Sequence, residues 1–281
     1  MCIRDRSDNF SNVAGYQHGE NAMISAVLYD QSGNQSLGDT SAMVLEIDLI
    51  ANEPTSVNIV SNNSNSIYAK TGDIVTLTMS YDEDIISTES LIESNASIDT
   101  DIGGEQFKAE YTLTGSEPEG VLDFIINATD YMGNPGTYGS TTDGSQVIYD
   151  KTPPQITNVN VASNNADIAW AKVGDSITIS FTSNEEILTP TVSILNQTSI
   201  VSNPQGNDYI AIYVPRDFDT EGEANFEIQF SDLAGNEGTS IIASTNNTKV
   251  IFDKTPPADF AVGLLTPCLL YTSDAADDVI S

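Results

Sequence analysis

Histidine, cysteine and tryptophan are scarce in this sequence of 281 residues, which has one histidine, two cysteines and one tryptophan. So few imidazoles and thiols leave little material for a zinc site or a histidine-based catalytic centre. Basic residues are also few, with 9 against 41 acidic ones, so the formal net charge is −32. Nucleic acid and anionic membrane surfaces would repel such a chain, which disfavours both as partners. No apolar run reaches the roughly 18 residues that a membrane-spanning helix needs.

The two ends differ in composition from the rest of the chain. Residues 1–6 and 267–281 resemble translated sequencing-adapter sequence, and we expect them to be non-native flanks that take no part in the fold. Both cysteines, Cys2 and Cys268, lie in these flanks. The chain between them has no cysteine, so the sequence predicts that neither disulfides nor thiolate metal sites stabilise it.

An internal repeat of about 102 residues is the strongest pattern in the sequence. The string Val-Asn-Ile-Val-Ser-Asn-Asn begins at Val57, and a closely related string begins at Val159. The same spacing relates an Ala-Lys-x-Gly-Asp turn at residues 69–73 to residues 171–175, and an Asp-x-x-Gly-Asn string at residues 130–134 to residues 232–236. An Asp-Lys-Thr-Pro-Pro string at residues 150–154 returns at residues 253–257. Self-similarity at a fixed period indicates a tandem array.

The repeat divides the chain into units. Two complete units are predicted, at residues 48–150 and 151–253. Residues 7–47 contain one more Asp-x-x-Gly-Asn string and are interpreted as the C-terminal part of a truncated unit, while residues 254–266 begin a further module.

Each unit is predicted to be all-β. Residues 74–81 alternate apolar and polar side chains and are rich in β-formers, as are residues 107–113, 121–128 and 146–150, with Gly, Asn, Ser and Asp clusters between them. About seven short strands in 100 residues favour tandem immunoglobulin-like β-sandwich domains. Tyr68 and Trp170 occupy one repeat position, and we expect both to fill the core.

With these motifs, the chain resembles the bacterial Ig-like repeats of large extracellular adhesins. The resemblance rests on the junction at residues 150–154, the turn at residues 69–73 and the Asp-x-x-Gly-Asn strings, and it covers residues 20 to 257 or so. It implies a non-catalytic stalk or spacer, secreted or attached to the cell surface, whose partners are neighbouring repeats of the same chain. Some such repeats bind calcium between domains.

The sandwich topology predicts where carboxylates meet. With the late alternating strand taken as F and residues 146–150 as G, the B–C loop is at residues 81–84 and the F–G loop is the Asp-x-x-Gly-Asn turn. In this topology the linker into the first strand and these two loops share one end of the unit, and acidic residues recur in all three. The candidate calcium ligands are Asp48, Glu83, Asp84, Asp130, Asp150, Glu185, Glu186 and Asp232. Asn236 is a further candidate, and Glu117 and Glu119 of the first unit could approach from the other side. Clustered carboxylates without a nearby base repel unless a cation or protons intervene, and hard oxygen ligands favour calcium.

Two alternatives stay open. The Asp-x-x-Gly-Asn string is also good turn chemistry, in which case the loop carboxylates are simply solvated. The units could also be a binding module that recognises a glycan or another protein through exposed aromatic residues, for which Tyr131, Tyr138 and Trp170 are the candidates. An enzyme is disfavoured, because the chain lacks a P-loop, a nucleophile elbow, a zinc-protease helix and a dinucleotide fingerprint.

Overall fold

The computed structural model describes residues 18–19, 21–26, 32–34, 39–46, 48–51 and 53–260. The flanks at 1–6 and 267–281, much of segment 7–47 and the end of segment 254–266 lie outside the described residues. Every regular element in the described part is a β-strand, so the all-β prediction is confirmed. No helix in this part is long and apolar enough to cross a membrane.

A β-hairpin precedes the first complete unit. Strand β1 (Asn21–Ala26) pairs antiparallel with β2 (Asp39–Glu46), and the register shifts between Met23 and Ser25. Such a shift marks a β-bulge, which bends and twists the strand that carries it.

The first sandwich runs from β3 to β13. Its strands are β3 (Ser56–Ser61), β4 (Tyr68–Ala69), β5 (Ile74–Ser80), β6 (Ile85–Ile92), β7 (Asn95–Ala96), β8 (Ile98–Asp101), β9 (Gln106–Thr112), β10 (Gly120–Val121), β11 (Phe124–Asp130), β12 (Pro135–Tyr138) and β13 (Ile148–Tyr149). One sheet has the order β3-β5-β9-β8 and the facing sheet β12-β11-β6-β7, while a small third sheet, β10-β13-β4, closes one end.

The second sandwich repeats this plan. Its strands are β14 (Ile156–Ser163), β15 (Trp170–Ala171), β16 (Ile177–Ser183), β17 (Thr191–Ile194), β18 (Gln197–Thr198), β19 (Ile200–Gln205), β20 (Asp208–Tyr213), β21 (Gly222–Glu223), β22 (Phe226–Gln229) and β23 (Ile251–Phe252). The sheet orders are β14-β16-β20-β19, β18-β17-β22 and β15-β23-β21. The structure is therefore a tandem of immunoglobulin-like sandwiches.

Each sandwich has its own core, built by the period-two alternation of its strands. In β5 the side chains of Val75, Leu77 and Met79 are buried while the residues between them face outward, and β16 repeats this with Ile177 and Ile179. The two sets of buried residues form separate hydrophobic clusters. Each unit can thus bury its apolar face without help from its neighbour.

The sequence prediction was wrong for the shared aromatic position. Trp170 is 47% exposed and Tyr68 is half-buried, whereas the next residues, Ala171 and Ala69, are fully buried. Successive side chains on a strand point to opposite faces, so burying the alanine turns the aromatic ring outward. Ala69 and Ala171 belong to the hydrophobic core clusters of their units.

The last strand also differs from the prediction. Residues 146–150 were expected to follow the F–G turn as the partner of the F strand. Instead β12 pairs with β11, and β13 lies in the small third sheet between β10 and β4. This places β13, and the linker that follows it, at the end of the unit that faces the next one.

Candidate cation sites at the repeat junctions

Three carboxylates meet where the first sandwich passes into the second. Asp150 follows β13 in the linker, Glu185 lies between β16 and β17, and Asp232 follows β22. One carboxylate oxygen from each lies within 4.8 Å of the others. Two oxygens at calcium's ligand distance on opposite sides of one ion are about 4.6–5.2 Å apart. The three groups are therefore spaced closely enough to share one ion.

Asp232 is the member of this cluster that is buried and held in place by hydrogen bonds. It is 1% exposed, and Asn236 donates from its backbone nitrogen to Oδ1 and from Nδ2 to Oδ2, each at 2.8 Å. The Nδ2 group also donates to the carbonyl oxygen of Asp150 at 3.0 Å. The Asp-x-x-Gly-Asn turn therefore orients the buried carboxylate and ties it to the linker, and Asn236 acts there as a donor.

The same arrangement exists 102 residues earlier in the chain. Oxygens of Asp48, Glu83 and Asp130 lie within 4.8 Å of one another. Asn134 donates from its backbone nitrogen and from Nδ2 to Asp130, at 2.8 and 2.7 Å. The sequence repeat therefore extends to side-chain geometry. In addition, His18 Nδ1 lies 3.2 Å from Asp48 Oδ1.

The electrostatics of the second cluster oppose full ionisation. Burial raises the pKa of Asp150, the Thr152 amide lowers it, and the Asp232 and Glu119 carboxylates raise it again. Burial also raises the pKa of Glu185, and so do the charges of Asp150 and Asp232. No lysine or arginine among residues 53–260 forms an ion pair with this cluster. A cation placed between the three groups would remove the repulsion.

Two of the eight predicted ligands lie outside the clusters. Asp84 and Glu186 are exposed, although each is the chain neighbour of a cluster member. The backbone oxygen of Asp84 accepts a hydrogen bond from the amide of Tyr131 at 2.9 Å, which joins the B–C loop to the F–G loop. Of each pair of adjacent acidic residues in the B–C loops, the structure thus brings only one member, Glu83 or Glu185, into a carboxylate cluster.

Glu117 and Glu119 have different surroundings. Glu117 is 2% exposed and accepts hydrogen bonds from Tyr111 Oη, Thr114 and Gly115, all within its own unit. Glu119 is exposed and binds the linker through Oε1, which accepts from the Lys151 amide. Glu117 lies apart from the carboxylate cluster. Glu119 is not one of its three members, but its charge contributes to the raised pKa values of Asp150 and Glu185.

Direct contacts between the two sandwiches were not anticipated from the sequence. Lys70 Nζ donates to the carbonyl oxygen of Gly235 at 2.6 Å, and Asn63 Nδ2 donates to that of Ala234 at 2.8 Å. Both acceptors lie in the turn that holds Asp232. Lys70 and Asn63 belong to recurring strings, but the sequence predicted no contact between either residue and the next unit.

Comparison with known proteins gives structural similarity only. No family model matches the chain, and no curated protein matches it. A calcium-stabilised ice-binding adhesin of an Antarctic bacterium has 17% identity and a TM-score of 0.40, over 84% of this chain and 58% of its own. A 1.5-MDa bacterial ice-binding adhesin has 16% identity and a TM-score of 0.40, over 82% and 71%. Fibronectin(III)-like modules of Clostridium thermocellum CbhA have 13% identity and a TM-score of 0.37, over 70% and 93%. The fold assignment rests on the strand pairing above.

The aromatic residues considered for ligand recognition do not form one surface. Tyr131 is 69% exposed in the F–G turn of the first unit, Tyr138 packs against the first core, and Trp170 lies on β15 of the second unit. A groove of about 440 Å³ crosses the second unit, but its aromatic lining residues, Phe181 and Tyr209, are buried. Tyr131 and Trp170 expose their rings on different units, and the groove itself has no exposed ring on which a sugar could stack.

Proposed function

We propose that this chain is part of a non-catalytic extracellular spacer of a bacterial surface or secreted adhesin, in which calcium stiffens the joints between Ig-like units. In this proposal the two complete Ig-like units are residues 48–150 and 151–253. The observation that supports it most is the recurrence of one carboxylate cluster at two successive joints. In each cluster one ligand comes from the linker and two come from loops of the unit that follows.

The three candidate ligands come from two parts of the chain, and this explains how an ion would stiffen the joint. Asp150 belongs to the linker, whereas Glu185 and Asp232 belong to the second sandwich, so one ion on all three fixes the linker against that sandwich. Burial is the main reason that the pKa values of Asp150 and Glu185 are raised, and repulsion from the neighbouring carboxylates raises them further. Without an ion, that repulsion favours separation of the groups. Residues 151–155, which contain Pro153 and Pro154, form no regular element, and the two prolines favour an extended backbone.

The direct contacts would set the orientation that the ion then holds. The bonds from Lys70 and Asn63 to the turn at residues 232–236 involve backbone acceptors, so they do not require a cation. Both bonds are partly buried; the neutral one contributes about 0.5–1.5 kcal/mol and the one from the lysine about 1.5–3 kcal/mol at most. That is too little to hold a long stalk rigid, and a shared ion adds to it.

Extracellular conditions suit such a site. Calcium sites of extracellular modules have dissociation constants of about 10⁻⁴–10⁻³ M. At about 5 mM calcium, these affinities stabilise the folded joint by about 1–2 kcal/mol per site, and each kcal/mol raises the melting temperature of a domain of this size by about 4–8 °C.

The test compares the full chain in about 5 mM calcium and in EDTA, by calorimetry and small-angle X-ray scattering. We expect calcium to raise the melting temperature and to narrow the distribution of interdomain distances. Glu185→Gln should remove the effect at the second joint. Glu186→Gln is the matched control, because it changes the adjacent exposed carboxylate, and it should retain the effect. Identical melting and scattering with and without calcium would contradict the proposal.

A binding module for a glycan or a protein is the second candidate. It is not favoured, because Tyr131, Tyr138 and Trp170 lie on different parts of the two units.

A further inference from the structure

The linker at the second joint is attached to the unit that precedes it. Glu119 Oε1 accepts hydrogen bonds from the Lys151 amide at 3.0 Å and from Thr152 Oγ1 at 2.6 Å. Lys151 Nζ donates to the carbonyl oxygens of Gly115 and Glu117, both at 2.9 Å. We call these four bonds the linker clamp.

The linker backbone is fixed on either side of Lys151 as well. The Asp150 amide donates to the carbonyl oxygen of Ala69 at 2.9 Å, which continues the pairing of β13 with β4. The Thr152 amide donates to Asp150 Oδ1 at 2.9 Å. One oxygen of Asp150 is thus held by its own turn.

An equivalent clamp occurs at the end of the second unit. Glu221 Oε1 accepts from the Lys254 amide at 2.8 Å and from Thr255 Oγ1 at 2.7 Å. Lys254 Nζ donates to the carbonyl oxygens of Asp217 and Asp219 at 2.8 Å. The same four bonds therefore recur at the end of both complete sandwiches.

The first joint has a different linker. Asp48 is followed by Leu49 and Ile50, which offer neither an ammonium group nor a hydroxyl group. Among the described residues, Asp48 Oδ1 accepts from the Ile50 amide at 3.3 Å and lies 3.2 Å from His18 Nδ1. The two joints therefore share the carboxylate cluster and differ in how the linker is attached.

We propose that Glu119 and Lys151 are positioning residues for the second junction site: they make residues 150–152 a rigid extension of the first sandwich and so present the Asp150 carboxylate to Glu185 and Asp232. The cation part of this inference rests on the proposed function, while the attachment of the linker does not. At the second joint, the clamp attaches the linker to the preceding unit without a cation, and the carboxylate cluster uses a cation to attach it to the following unit. Where the clamp is missing, as at Asp48, the ion has to order the linker itself.

Charge and positioning make opposite predictions for Lys151. Replacing Lys151 by methionine removes a positive charge from strongly acidic surroundings, and by Coulomb's law alone a cation should then bind more tightly. If Lys151 positions the linker, the same change frees Asp150 and binding becomes weaker. Loss of a residue that orients a metal ligand typically weakens metal binding by about 10- to 100-fold, and we expect the lower end for a partly exposed site.

The experiment measures calcium binding by isothermal titration calorimetry on the full chain carrying Glu83→Gln, which removes the first cluster. Lys151→Met should weaken binding by about 10-fold. Lys254→Met, which breaks the equivalent bonds at the far end of the second unit, is the matched control and should leave the Asp150 site unchanged. Binding by the Lys151→Met protein that is equal to or tighter than that of its parent would overturn the proposal.

A second measurement does not use the cation. In EDTA the Lys151 amide should be protected from hydrogen exchange, and Glu119→Ala should abolish that protection, whereas Glu119→Gln keeps an acceptor oxygen and should retain most of it. An unprotected Lys151 amide in the parent chain would overturn the clamp. If the parent chain binds no calcium, the proposed function fails, and this exchange measurement still decides whether the linker is attached.

Discussion

Replacement of Glu117 by glutamine tests the loop on which the linker clamp is built. Glu117 is buried, and its two carboxylate oxygens accept hydrogen bonds from Tyr111 Oη at 2.5 Å, Thr114 Oγ1 at 2.8 Å and the amides of Thr114 and Gly115. Its backbone oxygen accepts from Lys151 Nζ. Glutamine has nearly the same shape, but its amide nitrogen would face donors that it cannot satisfy.

The magnitude follows from the pKa. Burial alone would raise the pKa of Glu117, but the hydrogen bonds from Tyr111 and Thr114 outweigh burial and lower the pKa from 4.5 to about 2. At about 1.36 kcal/mol per pKa unit, the ionised form stabilises the fold at pH 7 by about 2–3 kcal/mol, the lower figure allowing for screening by water. For a unit of about 100 residues this corresponds to a fall in melting temperature of about 10–20 °C.

The assay can separate the two units, because the only tryptophan, Trp170, lies in the second sandwich. Glu117→Gln should lower the first-unit transition seen by circular dichroism and calorimetry, and leave the tryptophan fluorescence transition in place. Glu110→Gln makes the same chemical change at an exposed site of the same unit, where about 0.5 kcal/mol or less is expected.

The pH dependence gives the sharper test. The pKa of Glu117 is lowered on folding, so its contribution is complete above about pH 4.5 and is lost as the pH falls toward 2. The difference between Glu117→Gln and the parent chain should therefore shrink to about half at pH 3. A difference that is independent of pH, or one no larger than that of Glu110→Gln, would refute this account of the loop.

Two further predictions concern the second unit. The pKa values of Asp150 and Glu185 are raised, so in EDTA the joint should lose stability as the pH rises from their unfolded values near 4 through the raised ones. The stabilisation by calcium should be largest at neutral pH and decline in acid. Melting curves with and without calcium from about pH 4 to 7 measure this, and a calcium effect that grows in acid would contradict it. Because Trp170 is half exposed on the surface, Trp170→Ala should lower the free energy of unfolding by less than about 1 kcal/mol, whereas about 3–5 kcal/mol is typical for a buried ring such as Phe252. Urea denaturation measures this difference. A loss above about 2 kcal/mol would show that Trp170 contributes to the core.

Much of the fold could be predicted from the sequence, because β-strands produce an alternating pattern of apolar and polar residues along the chain. The alternation in β5 is a property of neighbouring residues, and it predicted this strand. Strand β6 was not predicted, since it carries four consecutive polar residues and its pairing with β11 is decided across the sheet. The placement of β13 was missed for the same reason.

The sequence by itself determined that carboxylates recur at the linker, B–C and F–G positions of each unit, because recurrence needs only the chain. The tertiary structure alone decided which member of each adjacent acidic pair enters the joint: Glu83 and Glu185 do, while Asp84 and Glu186 point into solvent. Neighbouring side chains in an extended loop leave the backbone in different directions, and the packing of that loop against the linker selects one of them. Packing likewise buried Ala171 in place of Trp170.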